Sequence, residues 1–332
     1  MTEPETLWIP EADVVALLDL GEAIDALEEG LELEARGEAR NMIKTQVLWG
    51  DGNTLHAIGA TADGAGLVGT KTWAHTTGGA TPLLILWDSG SGSLKAIVEA
   101  FALGQMRTGA MSGVATRWLA REDADTLAII GTGKQALTQL AAVAAVRPLR
   151  EVRAFSPTAA NRETFAARVR NEDFGVPLQL TSTLEEAVEN ASIVTLVTRA
   201  REPFLAAALV AAGSHINAVG AISPERAELC QDIFARCTQV AADSVPAVRM
   251  LSREFGDYYE NGPGDWQDVK AMSAIVAGGI KRPGGADLTL FKAMGMGISD
   301  LALGMRIYER AVAVGKGRRI PHPQRARPRL IA

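Results

Sequence analysis

The stretch TLAIIGTGKQALTQLAAVAAV, which begins at Thr126, constrains the fold more than any other part of the chain. It contains an apolar run, a turn of the form G-x-G-x-x-A and an alanine-rich segment with helical spacing. Gly131 permits a tight turn, Gly133 lets an anion approach the backbone, and Ala136 lets a helix pack closely on a strand. The hexapeptide alone also fits an ordinary structural turn. With a strand before it, a helix after it and a second strand at the expected distance, it predicts a dinucleotide-binding unit.

The pattern around this stretch predicts an α/β fold with two sheets. From residue 126 to about residue 245, apolar strands alternate with helical segments, which is typical of a Rossmann-type doubly wound parallel sheet. Residues 45–101 contain short apolar runs separated by DGN, DGAG and SGSGS, which predict an antiparallel meander. Residues 11–39 predict two amphipathic helices punctuated by Gly21 and Gly30, and LTLFKAMGMGISDLALGMRIYERAVAVGKG predicts a long helix or a helix pair.

These elements divide the chain into three parts. We expect an α+β domain for substrate binding and dimerisation at 1–118 and a Rossmann domain at 119–302. The C-terminal helix and tail, 303–332, are expected to return to the first domain.

Composition excludes several classes of function. The net charge of −6 gives no reason to expect a nucleic-acid partner. No long uncharged apolar run predicts a membrane span, and the acidic N-terminus does not resemble a signal peptide. Cys230 and Cys237 match no disulfide framework, and the scattered histidines match no metal spacing, so we expect a cytoplasmic protein without a metal.

The cofactor expected in the Rossmann domain is NAD(H) or NADP(H). An NAD-selective site usually carries an acidic residue after the second strand, where this chain has Ser156. Neither Ser156 nor Thr158 repels a 2′-phosphate, and Arg162 would pair with one unless it is an ordinary surface residue of a helix. The full set of expected cofactor contacts adds residues of the glycine turn and of three other segments: Thr108, Gly131, Thr132, Gly133, Lys134, Gln135, Ala136, Ser156, Thr158, Arg162, Thr198, Val219 and Gly220.

Two polar stretches of the first domain are candidates for substrate selection. GTKTWAH places Lys71 on a strand beside Trp73 and His75, and GQMRTGAMSG places Arg107 among small residues, at what we expect to be the start of a helix. Small residues let a backbone or a ligand approach closely, and a helix start favours an anion.

Five segments together resemble the ornithine cyclodeaminase/μ-crystallin family over nearly the full length of the chain. They are GTK at 69–71, MRTGAMSGVATRWLARED at 106–123, LAIIGTGKQA at 127–136, INAVGAISPERAEL at 216–229 and LFKAMGMGISDLA at 290–302. The resemblance implies that the domain before the Rossmann unit binds substrate and forms a homodimer, and that the last helices return to it.

The resemblance also implies a site for a substrate carboxylate. Its active lysine corresponds to Lys71 and one of its arginines to Arg107. The second arginine corresponds to Lys44, which keeps the charge but loses the bidentate fork, and Arg40 is a nearby substitute. Cyclodeaminases of the family have an aspartate where this chain has Ile222, so we expect no ornithine cyclisation.

The chemistry that remains is hydride transfer at the α-carbon of an amino acid. We expect NAD(P)H-dependent reduction of a small α-imino acid to an L-amino acid, with catalysis by Lys71 and Arg107. The pKa of Lys71 should fall because of neighbouring cations. Lys44, Gln46 and His75 would bind the substrate, which favours iminosuccinate and formation of aspartate.

Several alternatives stay open. They are a ketimine or pyrroline-carboxylate reductase, an alanine dehydrogenase, a cyclodeaminase and a non-catalytic NADPH-binding protein. An alternative interpretation of His75 is that it is a structural residue of its strand. Asp300 is interpreted either as a hydrogen-bond partner inside a helix or as a neighbour of the nicotinamide.

Overall fold

The glycine turn after residue 130 has the conformation that its sequence requires. Gly131 has a φ of +102°, and a Cβ there would lie 2.7 Å from the carbonyl oxygen of Val197. Only glycine adopts this backbone without strain and without displacing the neighbouring strand. The computed structural model in which this turn is seen describes residues 5–172 and 174–331.

The α-helices and β-strands of the described residues follow in chain order. The helices are α1 Glu11–Leu17, α2 Leu20–Ala35, α3 Phe101–Leu119, α4 Ala136–Ala144, α5 Ala159–Glu172, α6 Leu184–Val188, α7 Asp232–Arg236, α8 Val245–Leu251, α9 Arg253–Tyr259, α10 Met272–Ala277 and α11 Gly297–Val314. The strands are β1 Glu5–Ile9, β2 Arg40–Asn41, β3 Thr45–Trp49, β4 Asn53–Ala62, β5 Leu67–Thr76, β6 Gly79–Ala80, β7 Leu83–Asp88, β8 Leu94–Glu99, β9 Thr126–Ile130, β10 Glu151–Phe155, β11 Leu178–Leu180, β12 Ile193–Leu196, β13 His215–Ala218, β14 Cys237–Ala242, β15 Val269–Ala271, β16 Leu288–Lys292 and β17 Arg318–Pro321.

The second half of the chain forms the predicted doubly wound sheet. Its strand order is β11-β10-β9-β12-β13-β16-β14-β15, and every pairing is parallel. The order reverses between β9 and β12, which is where such sheets bind ligands. The prediction of a helix at LTLFK was wrong, because these residues form β16 between β13 and β14. A buried apolar run of five residues has no periodicity that separates a strand from a helix.

The first half forms the predicted antiparallel meander. Its sheet has the order β17-β1-β8-β7-β5-β4-β2, with β3 paired to β4 and β6 to β5. Only the β1–β8 pair is parallel among the described strands of this sheet. Helix α11 packs on β4, β5 and β7 and against α2 and α3. Gly30 lies inside α2 rather than ending it, and a Cβ there would come 2.9 Å from that of Ala302.

Helix α3 joins the two sheets. Small residues let its neighbours approach, since a Cβ on Gly109 would lie 2.7 Å from the carbonyl oxygen of Thr138 in α4. The buried guanidinium of Arg147 donates hydrogen bonds to the carbonyl oxygens of Thr116 (2.8 Å), Ala120 (3.0 Å) and Arg121 (2.8 Å). Ala120 and Arg121 lie beyond the last residue of α3, where carbonyl oxygens lack helical partners, and the Thr116 carbonyl also accepts from the backbone N–H of Ala120 at 3.1 Å. Arg147 therefore fixes the end of α3 to the Rossmann half.

The proposed domain limits fall within or beside two helices. Residue 118 lies in the last turn of α3, and residue 302 lies inside α11. No helix of residues 5–172 and 174–331 has the length and apolar character needed to cross a membrane.

Candidate active site

A cleft of about 650 Å³ opens at the carboxyl ends of β9, β10, β12 and β13, beside the reversal of strand order. The segments that follow these four strands enclose it on the Rossmann side, together with Asp243 and residues 293–295, and α3 and the start of α11 close it on the other. Most of the expected cofactor contacts line this cleft: Thr108, Gly131, Thr132, Gly133, Lys134, Gln135, Ser156, Thr198, Val219 and Gly220.

The glycine turn fits a pyrophosphate. No heavy atom lies within 4 Å of a Cβ built on Gly133, so the space before this backbone is open. The hydroxyl of Thr132 donates to that of Ser156 at 3.0 Å, which ties the turn to the end of β10. The N-terminus of α4 follows directly and offers backbone N–H groups to an anion. The residues present therefore fit a dinucleotide.

Three expected cofactor residues do not line the cleft. Ala136 is the first residue of α4 and is fully buried in the apolar core against the sheet. Arg162 donates to the carbonyl oxygen of Ser156 at 2.5 Å, and the carbonyl of Thr158 accepts from the Ser156 hydroxyl at 3.4 Å. Arg162 thus lies beside the position where an acidic residue would select NAD. Asn161, also on the cleft wall, was not expected from the sequence.

Lys71 and Arg107 converge on one carboxylate. The Nζ atom of Lys71 lies 2.5 Å from Oδ1 of Asp300, and the Nε atom of Arg107 lies 3.5 Å from the same oxygen. Lys71 is 4% exposed and Asp300 is 1% exposed. Burial lowers the pKa of Lys71 to about 8, with smaller contributions from Arg107 and Lys44, while Asp300 opposes the shift. The pKa of Lys71 is lowered, as expected, but the largest cause is burial rather than the neighbouring cations.

The structure corrects the expected position of Arg107. Helix α3 begins at Phe101, so Arg107 and Thr108 lie in its second turn and receive nothing from the helix start. Arg107 instead lies against Gly295, where a Cβ would come 2.9 Å from Nη1 and where φ is +88°. Because Arg107 also lines the cleft, it connects the Lys71–Asp300 pair with the cofactor side.

The outer part of the meander surrounds an aromatic pair. The ring of His56 on β4 stacks on that of Trp73 on β5, with centroids 4.6 Å apart, and Nζ of Lys71 lies 5.2 Å from the Trp73 ring. Gln46 pairs with His56 in the sheet register, and both Gln46 and His75 are exposed. Burial lowers the pKa of His56, and the charges of Lys44 and His75 lower it further. His56 was missed from the sequence, where only the register of β4 and β5 would have revealed it.

Lys44 lies just before β3 rather than within it. Burial is the largest cause of its lowered pKa, and Arg107 adds to that shift while Asp300 opposes it. Its ammonium group is therefore within electrostatic reach of the Lys71–Asp300–Arg107 cluster.

Other carboxylates hold the cleft in shape. Ile222 lines the cleft and is 39% exposed. The cleft therefore has an isoleucine at the position where cyclodeaminases of the family have an aspartate. Buried Glu228 accepts from the backbone N–H of Thr198 at 2.8 Å, from its hydroxyl at 2.7 Å and from the backbone N–H of Gly220 at 2.9 Å. Buried Asp243 accepts from the backbone N–H of Gly295 at 2.6 Å. Nothing in their local sequence distinguishes these two acids from surface carboxylates.

Comparison with known proteins agrees with this geometry. A sequence profile of the ornithine cyclodeaminase/mu-crystallin family matches residues 5–315. A Δ(1)-pyrroline-2-carboxylate reductase of Bacillus cereus is 34% identical over 240 residues, which are 72% of this chain and 73% of that protein. The structure of the Thermococcus litoralis Δ(1)-pyrroline-2-carboxylate reductase with NADH and L-proline is 27% identical, with a TM-score of 0.88 over 95% of this chain and 100% of that one. An archaeal alanine dehydrogenase dimer with bound NAD is 28% identical, with a TM-score of 0.86 over 96% and 99%.

Proposed function

The chain belongs to the ornithine cyclodeaminase/mu-crystallin family, and we propose that it reduces a small α-imino acid to the L-amino acid. It is an NAD(P)-dependent oxidoreductase that acts on imine or amino-acid groups, with NAD(H) or NADP(H) as cofactor. The observation that carries the proposal is the cluster of buried Lys71 and Asp300 with Arg107, which lines the dinucleotide cleft.

Lys71 and Arg107 have distinct roles in the proposed reaction. The guanidinium of Arg107 pairs with the substrate carboxylate through charge-assisted hydrogen bonds and so orients the α-carbon. The ammonium of Lys71 contacts the same carboxylate and donates a proton to the imine nitrogen, because an iminium accepts hydride far better than a neutral imine. The reduced nicotinamide supplies that hydride when it is bound. Lys71 is 4% exposed, so its proton transfer to the imine is shielded from bulk water.

The substrate that we propose first is iminosuccinate, which would give aspartate. Its second carboxylate needs a cation and hydrogen-bond donors, and the groups of suitable chemistry are the ammonium of Lys44 and the neighbouring imidazoles of His56 and His75. A second candidate is Δ(1)-pyrroline-2-carboxylate, which is favoured by the 34% identical relative. The absence of an acid at position 222, where the chain has Ile222, argues against ornithine cyclisation.

A substrate panel tests the proposal. Reduction of oxaloacetate plus ammonia, pyruvate plus ammonia and the cyclic imines of proline and pipecolate is followed through nicotinamide absorbance at 340 nm. Faster turnover with oxaloacetate plus ammonia than with the other three supports iminosuccinate, whereas fastest turnover with the proline imine supports the second candidate. Absence of turnover with all four rejects imine reduction.

We also propose that NADPH is accepted along with NADH. Ser156 and Arg162 support this, since neither would repel a 2′-phosphate at the end of β10. The Arg162→Ala variant should weaken binding of NADPH but not of NADH, measured by titration of nicotinamide fluorescence. Equal loss with both cofactors would remove Arg162 from 2′-phosphate recognition.

A cytoplasmic homodimer is the proposed form of the enzyme. Exposed apolar side chains on the outer meander support dimerisation, since patches of this kind mark protein interfaces: Val47, Leu48, Trp49 and Leu55. The two free cysteines are compatible with a reducing compartment. Light scattering of the Leu48→Glu variant beside the unaltered chain tests the dimer, because a charge in the interface should produce monomers.

A further inference from the structure

Asp300 has one carboxylate oxygen that the structure leaves unused. The residue lies in the first turn of α11, and its Oδ1 atom takes the ammonium of Lys71 at 2.5 Å. Its Oδ2 atom is fully buried and accepts no hydrogen bond from any of the described residues. The Nε atom of Arg107, 3.5 Å from Oδ1, also donates no hydrogen bond there. Buried polar atoms of native proteins are normally paired, so an unpaired carboxylate oxygen inside this cluster indicates a missing donor.

The chemistry of the surroundings restricts what that donor can be. A substrate carboxylate is repelled by Asp300 and attracted by Lys71 and Arg107, so it binds on their side of the cluster. The imine nitrogen is attached to the carbon next to that carboxylate, which brings it close to the same three residues. Ile222 has no acceptor for this nitrogen. Asp300 is the carboxylate in contact with both cations, and it carries the free acceptor.

We propose that Asp300 is a catalytic residue, whose Oδ2 atom accepts the N–H of the substrate's iminium nitrogen. This inference rests on the proposed imine reduction. In the protonation step, the lone pair of the imine nitrogen forms an N–H bond while a Lys71 N–H bond breaks and leaves its electron pair on Nζ. The positive charge moves from Lys71 to the substrate, and the adjacent Asp300 carboxylate stabilises it in both places. Lys71 then regains a proton from solvent.

The same contact should favour an amino acid over its desamino analogue. The product ammonium would donate to Oδ2, whereas an analogue without nitrogen would leave that oxygen unpaired. Inhibition of imine reduction is therefore measured for two pairs, L-proline with cyclopentanecarboxylate and L-aspartate with succinate, and the pair that matches the reduced imine is used. The unaltered enzyme should bind the amino acid about 10- to 100-fold more tightly than the analogue, which is typical of a charge-assisted hydrogen bond.

The Asp300→Asn variant removes the charge while keeping the shape of the side chain. It should lose this preference and weaken amino-acid binding, with little change for the desamino analogue, because Arg107 and Lys71 still hold the carboxylate. The control is Glu309→Gln, which removes an exposed carboxylate from the same helix and should keep the preference. Titration with NADH and thermal unfolding verify that both variants are folded and bind cofactor.

Three results separate the possible failures. Equal inhibition of the unaltered enzyme by both members of the pair overturns the role of Asp300, even if the variant does not fold. Equal weakening of both ligands in the variant also overturns it, since Asp300 would then act only by positioning Lys71. No imine turnover by the unaltered enzyme rejects the proposed function itself.

Discussion

A single methyl group at Gly297 should separate Asp300 from Lys71. Gly297 is the first residue of α11 and packs directly on the backbone of Gly59 in β4. A Cβ on Gly297 would lie 2.9 Å from the Cα of Gly59 and closer still to its carbonyl group. Cβ atoms in folded proteins stay at least 3.0 Å from other heavy atoms. The Gly297→Ala variant must therefore move the start of α11 away from the sheet.

The size of this movement sets the expected loss of activity. Relief of the overlap with the Gly59 carbonyl requires a shift of about 1 Å, because the packed core cannot absorb it elsewhere. Asp300 lies three residues further along, in the same first turn of the helix, and moves with it, so the 2.5 Å contact to Lys71 opens. A displacement of about 1 Å can reduce catalysis by about 100-fold. Overpacking of this kind also costs about 1–3 kcal/mol of folding free energy.

The comparison variant is Gly256→Ala in α9. Gly256 also lies in a helix, but a Cβ there meets no heavy atom within 4 Å. This change should leave kcat/KM for imine reduction unaltered and should slightly stabilise the protein. Urea unfolding measures the folding free energy of both variants, and steady-state kinetics measure their kcat/KM for imine reduction. If Gly297→Ala retains the activity and stability of the unaltered enzyme, the tight seating of α11 has no role in aligning Asp300.

Three further predictions concern the cluster and the cleft. Lys71→Met should abolish imine reduction while NADH still binds in fluorescence titrations. If the chain is instead a non-catalytic binding protein, the unaltered chain will also show no imine reduction. Because reduction needs protonated Lys71, whose pKa is about 8, kcat/KM for reduction should be level below pH 8 and fall about tenfold per unit above it, as a pH-rate profile would show. A level profile to pH 10 would contradict that role. The backbone N–H groups of Thr198 and Gly220 donate to different oxygens of Glu228, so Glu228→Gln presents its amide NH₂ to one of them. NADH affinity should then fall about tenfold or more in the same titration, and unaltered affinity would show that the cleft does not depend on Glu228.

The Rossmann half could be predicted from the sequence because its fold depends on local features of the chain. Gly131 and Gly133 are needed where the backbone turns, and the alternation of strands and helices around them is confirmed in the parallel sheet. The strand β16 was missed because its five buried residues carry neither the turn signals nor the periodicity that identified the other strands.

The candidate site was only partly accessible from the sequence. Lys71 and Arg107 were singled out from two polar stretches and received their roles from a family resemblance. Their shared contact with Asp300 was not predicted, because Lys71 and Asp300 are 229 positions apart. His56 faces Trp73 because of the strand register, which a single sequence does not specify beyond a general alternation. Asp243 and Glu228 depend on burial and on backbone donors from distant loops, which become apparent only once the chain is folded.

The attachment of Arg147 to the end of α3 has a consequence for how ligands reach the cleft. Rotation of one sheet against the other would strip donors from several buried carbonyl oxygens at once. The contact between Asn217 of the parallel sheet and Thr116 of α3, at 3.0 Å, would break as well. The junction therefore resists hinge bending, and ligand exchange is left to local motion at the solvent-facing rim.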